Sequence, residues 1–225
     1  MMIFVFLFAL CASIATVASR SGGYIVVLGD VQKDVEFFTR TFPWIIDNIG
    51  GDVVVEFFML GSGRYSVPQS CALTLLYANA FLQAQYLRCE ANGYPGEYCL
   101  CEAGVDPENF KRCVGHGGYI AGQASERYSS YNINESPLID IGDGTVLYGL
   151  DDISLLKKIC THFGDNPPRG CIHPSDQADS FLEKKALAQF DRACRKEFPF
   201  DENKPEVVTT TEKPWFTTET ERTAF

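Results

Sequence analysis

The sequence predicts a mixed α/β fold, because a short apolar strand turns sharply into an amphipathic helix near the start of the chain. Residues 24–28 (YIVVL) form an almost continuous β-branched run, which is typical of a strand covered on both faces. Gly29 and Asp30 end this run, and from Val31 onward apolar residues recur at helical spacings of three and four. The predicted inner face of this helix consists of Val35, Phe38, Phe42 and Ile45 or Ile46.

The elements that follow predict how this βα unit is completed. Residues 52–60 read as a second strand, and the helix between the two strands favours a parallel crossover. Residues 71–89 have a helical composition, and a cysteine-dense stretch follows them. Within that stretch Asp106 is the predicted cap of a helix with Pro107 at its first position, and Tyr119–Tyr128 is a further helix.

The last predicted elements are a hairpin and a helix. Residues 137–141 and 145–148 are short strands joined by a Gly-Asp-Gly turn. Asp151 or Asp152 can cap a helix that runs through Ile159, with an inner face formed by Ile153, Leu156 and Ile159 or Cys160. The order βαβ, helices, ββα is that of a thioredoxin-like α/β fold with a helical, cysteine-rich insertion.

Composition limits the classes of protein that the chain can represent. Its 225 residues are 46% hydrophobic, which is enough for one domain with a substantial core. The formal net charge of −10 argues against binding to nucleic acid or to an anionic membrane surface.

The two ends of the chain differ from its centre. Residues 1–19 are uncharged and apolar and end in small residues, so we expect a secretory signal peptide, with a membrane anchor as the alternative. A thioredoxin-fold domain is predicted over 20–172 and a C-terminal helical extension over 173–200, whose helix would run from Gln177 to Lys196. Residues 201–225 are rich in threonine and acidic side chains, which predicts a disordered tail. No segment after the signal peptide is long enough to span a membrane.

The cysteines indicate an oxidising compartment. Removal of residues 1–19 takes Cys11 with it and leaves an even number of cysteines, which in an exported chain favours disulfides. Spacing alone does not decide most of the connectivity. The eight cysteines of the mature chain are Cys71, Cys89, Cys99, Cys101, Cys113, Cys160, Cys171 and Cys194.

Three segments resemble one known family. They are the run from Gly104 to Gly118 (GVDPENFKRCVGHGG), the run from Ser136 to Gly142 (SPLIDIG), and Leu155–Cys160 (LLKKIC) followed by Cys171. Over residues 24–171 the chain resembles the GILT family, the gamma-interferon-inducible lysosomal thiol reductases. The resemblance implies a thioredoxin-like fold, reduction of protein disulfides in an acidic endosomal or lysosomal lumen, and a disulfide between Cys160 and Cys171.

Two motifs of that family are missing from this chain. Where members carry Cys-x-x-Cys or Cys-x-x-Ser, the sequence has Gln32-Lys33-Asp34-Val35. The Cys-Gln-His-Gly-x-x-Glu-Cys signature is reduced to its final cysteine, Cys71. We therefore predict no catalytic residue, and we interpret Gln32, Val35 and Pro137 as vestigial site positions. The resemblance implies a cis peptide bond before Pro137 and a groove able to hold an extended peptide.

Other candidate sites have alternatives that stay open. Cys99-Leu100-Cys101 could replace the lost dithiol, but nearby Glu97 and Glu102 disfavour a thiolate, so we expect two structural disulfides. The Cys-x-His pairs at 160–162 and 171–173 could bind zinc, although a disulfide is expected there. We predict no metal site and no cofactor.

Two further residues invite a functional interpretation. His116 lies among glycines and is interpreted as a loop histidine, since no nucleophile is near it in sequence. Asn134 is a weak glycosylation site, because Pro137 follows its Asn-Glu-Ser sequon and stiffens the segment.

Two classes of function follow from these observations. The chain is either a divergent thiol oxidoreductase or a secreted binding protein that keeps the fold and the peptide groove without the chemistry. The partner would be a protein or peptide, and the location would be extracellular or the endosomal-lysosomal lumen. The first βα turn discriminates between the two classes, because disulfide exchange requires a thiolate nucleophile.

Overall fold

A mixed sheet forms the centre of the computed structural model, which describes residues 23–61, 64–131, 136–142, 144–175 and 194–198. Its strands are β1 (Gly23–Asp30), β2 (Val53–Gly61), β3 (Arg64–Tyr65), β4 (Leu138–Asp140) and β5 (Val146–Leu147). They form one five-stranded sheet in the order β3-β2-β1-β4-β5. The longest strands, β1 and β2, therefore lie side by side at the middle of the sheet.

The crossover between β1 and β2 is parallel, as the sequence predicts. The register runs from Gly23 opposite Val53 to Asp30 opposite Leu60. The connection is a π-helical turn (Phe37–Thr41) that continues into helix α1 (Phe42–Ile49). This helix packs its apolar side on the sheet in the main core, and the side chains of Phe42, Ile45, Ile46 and Ile49 are each 1% exposed.

The C-terminal half of the sheet is a hairpin that runs antiparallel to β1. Val26 pairs with Asp140 and Leu28 with Leu138, and β4 in turn pairs antiparallel with β5. A parallel βαβ unit whose first strand also pairs with an antiparallel hairpin defines the thioredoxin-like fold that the order of elements predicted. The short strands of this hairpin bring the segment that precedes β4 alongside the end of β1.

A helical insertion separates β3 from β4 and contains most of the cysteines. Its helices are α2 (Val67–Leu75), α3 (Ala80–Ala91), α4 (Gly96–Glu102), α5 (Pro107–Gly115) and α6 (Gly117–Tyr131). The predicted single helical segment over 71–89 is two helices, because Asn79 caps a new one by accepting a hydrogen bond from the N–H of Leu82 at 3.2 Å. Asp106 caps α5 as predicted and accepts from the N–H of Asn109 at 2.7 Å. Helix α4 was not among the predicted elements.

The last part of the domain closes against α1. Helix α7 (Asp152–Cys160) leads through a 3₁₀ turn (Thr161–Phe163) to the short helix α8 (Arg169–Ile172). Asp151 caps α7 by accepting from the N–H of Ser154 at 3.0 Å, so the first of the two predicted caps is used. Helix α8 approaches α1 so closely that a Cβ at Gly170 would lie 2.2 Å from the backbone oxygen of Asn48. Only glycine fits this contact.

Two predicted core residues are exposed. Val35 is 41% exposed because the π-helical turn that follows it uses more residues per turn than an α-helix and so rotates the preceding residues. Ile153 is 54% exposed because α7 begins to pack on the core only at Leu155.

Several predictions concern residues that the structure does not describe. They are the signal peptide over 1–19, most of the helix predicted over 177–196, the tail over 201–225 and the glycosylation site at Asn134. Of that helix, residues 194–196 are described, and they are helical. None of the helices within the described ranges is long and apolar enough to cross a membrane.

Candidate functional site at the first βα turn

Asp30 organises the turn between β1 and the following helix. Its backbone oxygen accepts hydrogen bonds from the N–H groups of Lys33 at 3.1 Å and Asp34 at 2.8 Å. Its side chain, which is 2% exposed, accepts from the N–H of Gln32 at 2.9 Å. An aspartate that bonds to the backbone two residues later is typical of a tight turn. The turn is therefore fixed by the last residue of the strand.

The carboxylate of Asp34 joins this turn to the segment that precedes β4. One oxygen accepts from the backbone N–H of Asp30 at 2.8 Å, and the other accepts from the hydroxyl of Ser136 at 3.1 Å. The Ser136–Pro137 peptide bond is cis, as the resemblance implied. A side chain of this turn, Asp34, is thus hydrogen-bonded to the cis-proline segment.

Burial changes the acidity of Asp34. The side chain is 8% exposed, and the resulting loss of solvation raises the pKa of this carboxyl above its ordinary value of 3.8. The hydrogen bonds from Asp30 and Ser136 oppose this rise in pKa, since they stabilise the charged form. The Nζ of Lys33 lies 3.8 Å from Asp30, but the lysine side chain is 69% exposed, so this ion pair stabilises the turn little.

The two predicted vestigial positions lie on the outer surface of the turn. Gln32 and Val35 are both exposed, and neither side chain has a hydrogen bond within the described residues. No cysteine occurs between residues 23 and 70, so the turn offers no sulfur nucleophile. A carboxylate and an amide cannot perform the attack on a disulfide that a thiolate performs.

The cysteines of the described residues form disulfides. The pairs are Cys71–Cys113, Cys89–Cys99, Cys101–Cys194 and Cys160–Cys171. Cys99 and Cys101 belong to different bridges, so the Cys-x-Cys segment is not a dithiol in this state. Because Cys160 and Cys171 are bonded to each other, their sulfurs are not available to a zinc ion with His162 and His173.

His116 stands apart from the turn. It follows the last residue of α5, where its ring nitrogen Nδ1 lies 2.8 Å from the backbone oxygen of Arg112. It is exposed and lies at the C-cap of this helix, at the junction with the next helix. Within the described part of the chain, no group of three potential metal-binding side chains comes together.

The sequence interpretation missed Asp30, Asp34 and Ser136 as members of this site. Their signal was present, since two aspartates four residues apart straddle the turn after a buried strand, and Ser136 directly precedes Pro137. The contact between Asp34 and Ser136 could not be predicted from the sequence, because 102 residues separate the two.

Comparisons with known proteins give matches among solved structures alone. No protein-family model matches it, and no curated protein matches it. Among solved structures, the crystal structure described as "Mtb DsbA (Oxidized)" is similar, with a TM-score of 0.48 and 17% sequence identity over 75% of this chain and 89% of that chain. The strand order and connections described above define this chain as a protein of the thioredoxin-like class. Its particular site is a carboxylate-centred turn beside a cis-proline.

Proposed function

We propose that the chain is a secreted or endosomal-lysosomal GILT-like protein of the thiol-reductase family whose disulfide-reducing activity is lost or weakened. The observation that carries this proposal is the Asp34 carboxylate, which bonds to Ser136 beside cis-Pro137 at the turn where such enzymes hold their dithiol. The resemblance over residues 24–171 supplies the family, and the pairing of the eight cysteines supports an oxidising compartment.

The chemistry of disulfide reduction explains why the missing cysteines matter. A thiolate attacks one sulfur of the substrate, the substrate's other sulfur leaves as a thiolate, and a second thiol then resolves the mixed disulfide. The enzyme ends with its own disulfide, and the substrate gains the two electrons. Neither Gln32 nor Val35 can carry out the first step, and the cysteines within the described ranges are already oxidised.

A second candidate function is that of a binding protein without catalysis. It is favoured by the placement of an exposed amide, Gln32, and an exposed apolar side chain, Val35, on a turn whose Asp34 contacts the segment before cis-Pro137. A surface with both polar and apolar groups suits an extended peptide.

The first experiment measures thiols and activity on the mature, full-length protein. We expect no titratable thiol after denaturation without reductant, and no reduction of insulin above the rate given by the reductant alone. Two stoichiometric thiols at Cys99 and Cys101, or measurable reduction of insulin by the unaltered protein, would contradict the loss of activity.

A second experiment restores the missing sulfurs. In the double variant Gln32→Cys, Val35→Cys, the new cysteines lie at the start of a helix, where unpaired N–H groups and the helix dipole lower a thiol pKa. We expect a reducible disulfide and measurable reductase activity. The matched control, Gln32→Ser, Val35→Ser, should have none.

The shifted variant Val31→Cys, Asp34→Cys tests the position of the pair. Both of these residues are buried, and Asp34 holds the turn, so this pair should be less accessible to a protein substrate and should destabilise the fold. Higher activity from the shifted pair would show that the vestigial positions are Val31 and Asp34.

A further inference from the structure

The outer edge of β2 is largely uncovered by other strands. Strand β1 pairs with one edge of β2 along its length, whereas β3 pairs only with Leu60 and Gly61 at the other edge. The outer edge from Val53 to Phe57 therefore has no strand neighbour among the described residues. An unpaired strand edge presents backbone N–H and C=O groups that can bind another extended chain.

Hydrogen bonds identify which residues of β2 point to this edge. The backbone oxygen of Asp52 accepts from the N–H of Gly23 in β1. Because backbone groups alternate in direction along a strand, the N–H and C=O groups of even-numbered residues of β2 point toward β1. The oxygen of Met59 instead accepts from the N–H of Ser66 at 3.0 Å, on the outer side. Phe57 has the same orientation as Met59, and within the described chain neither its N–H nor its C=O has a partner on that side.

A cavity of about 340 Å³ lies along this same edge. It is lined by consecutive residues of β2 and by side chains of α2, α3 and α6. The buried part of its wall includes Val55, Phe57, Leu73, Gln83 and Ala124. Its exposed rim includes Thr74, Tyr77, Tyr119 and Gln123. A volume of this size is in the range of ligand-binding pockets.

The side chain of Gln83 already forms a hydrogen bond to the outer edge of β2. Its side chain is 1% exposed, and its Nε2 donates to the backbone oxygens of Val55 at 3.2 Å and Leu73 at 3.0 Å. Since both partners are acceptors, the orientation of the amide is fixed. Its Oε1 is buried and has no hydrogen-bond partner within the described residues. Gln83 therefore covers the edge of β2 at Val55, and it leaves the backbone groups of Phe57 without a partner among the described residues.

The charges of the lining indicate which side chains the occupant would carry. Glu56 is the one charged residue of the lining, and no lysine, arginine or histidine belongs to it. The mature chain is also acidic as a whole. Like charges would repel an acidic ligand, whereas neutral or basic side chains would be tolerated or attracted.

We propose that this cavity binds an extended peptide segment with neutral or basic side chains, which adds to the outer edge of β2 through backbone hydrogen bonds to Phe57. An extended peptide supplies N–H and C=O groups at alternate positions, and these can pair with the C=O and the N–H that Phe57 presents at this edge. The site shares no residue with the first βα turn, so it is independent of the function proposed there.

Backbone methylation provides the most direct test. The probe is a fluorescein-labelled Val-Lys-Val-Lys-Val amide, measured by fluorescence polarisation with the full-length mature protein. Two further peptides carry N-methyl groups on either the odd or the even backbone amides. Because only alternate amides face the strand, one methylated peptide should bind about tenfold or more weakly, and the other should bind within about twofold of the parent.

Two measurements locate the binding at the cavity. Bound peptide should slow hydrogen exchange at the N–H of Phe57. Gln123→Arg adds a positive charge at the rim and should weaken binding of the lysine peptide about tenfold. The matched variant Ser125→Arg places the same charge at an exposed position of the same helix outside the lining. It should change the affinity less than about twofold.

Three results would overturn the proposal. They are equal binding of both methylated peptides, unchanged exchange at Phe57, and no binding of the parent peptide at about 1 mM. A Val-Glu-Val-Glu-Val peptide that binds as tightly as the lysine peptide would overturn the charge preference.

Discussion

The helical insertion and the first βα turn are held together by different means. Helices α5 and α6 of the insertion bury few side chains, with Phe110 the buried residue of α5 and Ala124 that of α6. Disulfides stabilise this region instead, and one of them, Cys71–Cys113, joins α2 to α5. The turn contains no sulfur and is held by hydrogen bonds that the oxygens of Asp30 and the carboxylate of Asp34 accept.

This difference separates the stability of the fold from the chemistry of the site. The cross-links in the insertion do not depend on the residues at the turn, so the fold does not require a disulfide at the turn. At the turn, the Asp34 carboxylate joins the helix start to the cis-proline segment through Ser136.

Removal of the Cys71–Cys113 bridge should have a larger effect than any change at the turn. The bridge spans 42 residues, and in the chain-entropy model the double variant Cys71→Ala, Cys113→Ala loses about 4 kcal/mol of unfolding free energy. Denaturant unfolding followed by circular dichroism measures this loss. A loss below about 1 kcal/mol would show that apolar packing holds the insertion without the cross-link.

The Cys160–Cys171 bridge, which lies outside the insertion, should matter less. It spans 11 residues, so Cys160→Ala, Cys171→Ala should cost about 3 kcal/mol in the same model. The same denaturant titration shows which of the two bridges contributes more to the free energy of unfolding. A larger loss here than for Cys71–Cys113 would contradict the contrast between the insertion and the rest of the domain.

Local signals in the sequence were sufficient for much of the fold. The β-branched run of β1, the Gly-Asp-Gly hairpin and the capping aspartates Asp106 and Asp151 act through neighbouring residues, and each appears as predicted. Val35 and Ile153 were placed wrongly, because their exposure depends on a π-helical turn and on where packing begins.

The candidate site was less accessible to sequence reasoning. The absence of cysteine in the turn is visible in the sequence, and so is the proline that forms the cis bond. The role of Asp34 is not, because it depends on a contact with Ser136 that only the folded sheet creates. The cavity at the outer edge of β2 could not be predicted either, because β2 and three helices that are separate in sequence form its lining.

A change at Asp34 should have a smaller effect than loss of a disulfide. In Asp34→Ala, the buried N–H of Asp30 and the hydroxyl of Ser136 both lose their acceptor. Asp34→Asn can keep both contacts, since its oxygen can accept from Asp30 while its amide nitrogen donates to Ser136. We expect the alanine variant to be less stable than the asparagine variant by about 1–3 kcal/mol in denaturant titrations at neutral pH. Equal stability would show that these contacts do not hold the turn.

The smallest expected effect is the pH dependence that separates Asp34→Asn from the unaltered protein. Burial raises the pKa of Asp34 in the folded state above the ordinary value of 3.8 that applies to the unfolded chain. Between these two pKa values the folded state binds more protons, so the contribution of Asp34 to stability falls as the pH rises through this window and is constant above it.

Asparagine does not titrate at this position. The stability of the variant relative to the unaltered protein should therefore increase from pH 3 to pH 7. Unfolding titrations at a series of pH values measure this difference, in which the other carboxyl groups cancel, apart from Asp30, whose charge also acts on Asp34. A difference that is flat, or that decreases with pH, would mean that the hydrogen bonds to the carboxylate outweigh its burial.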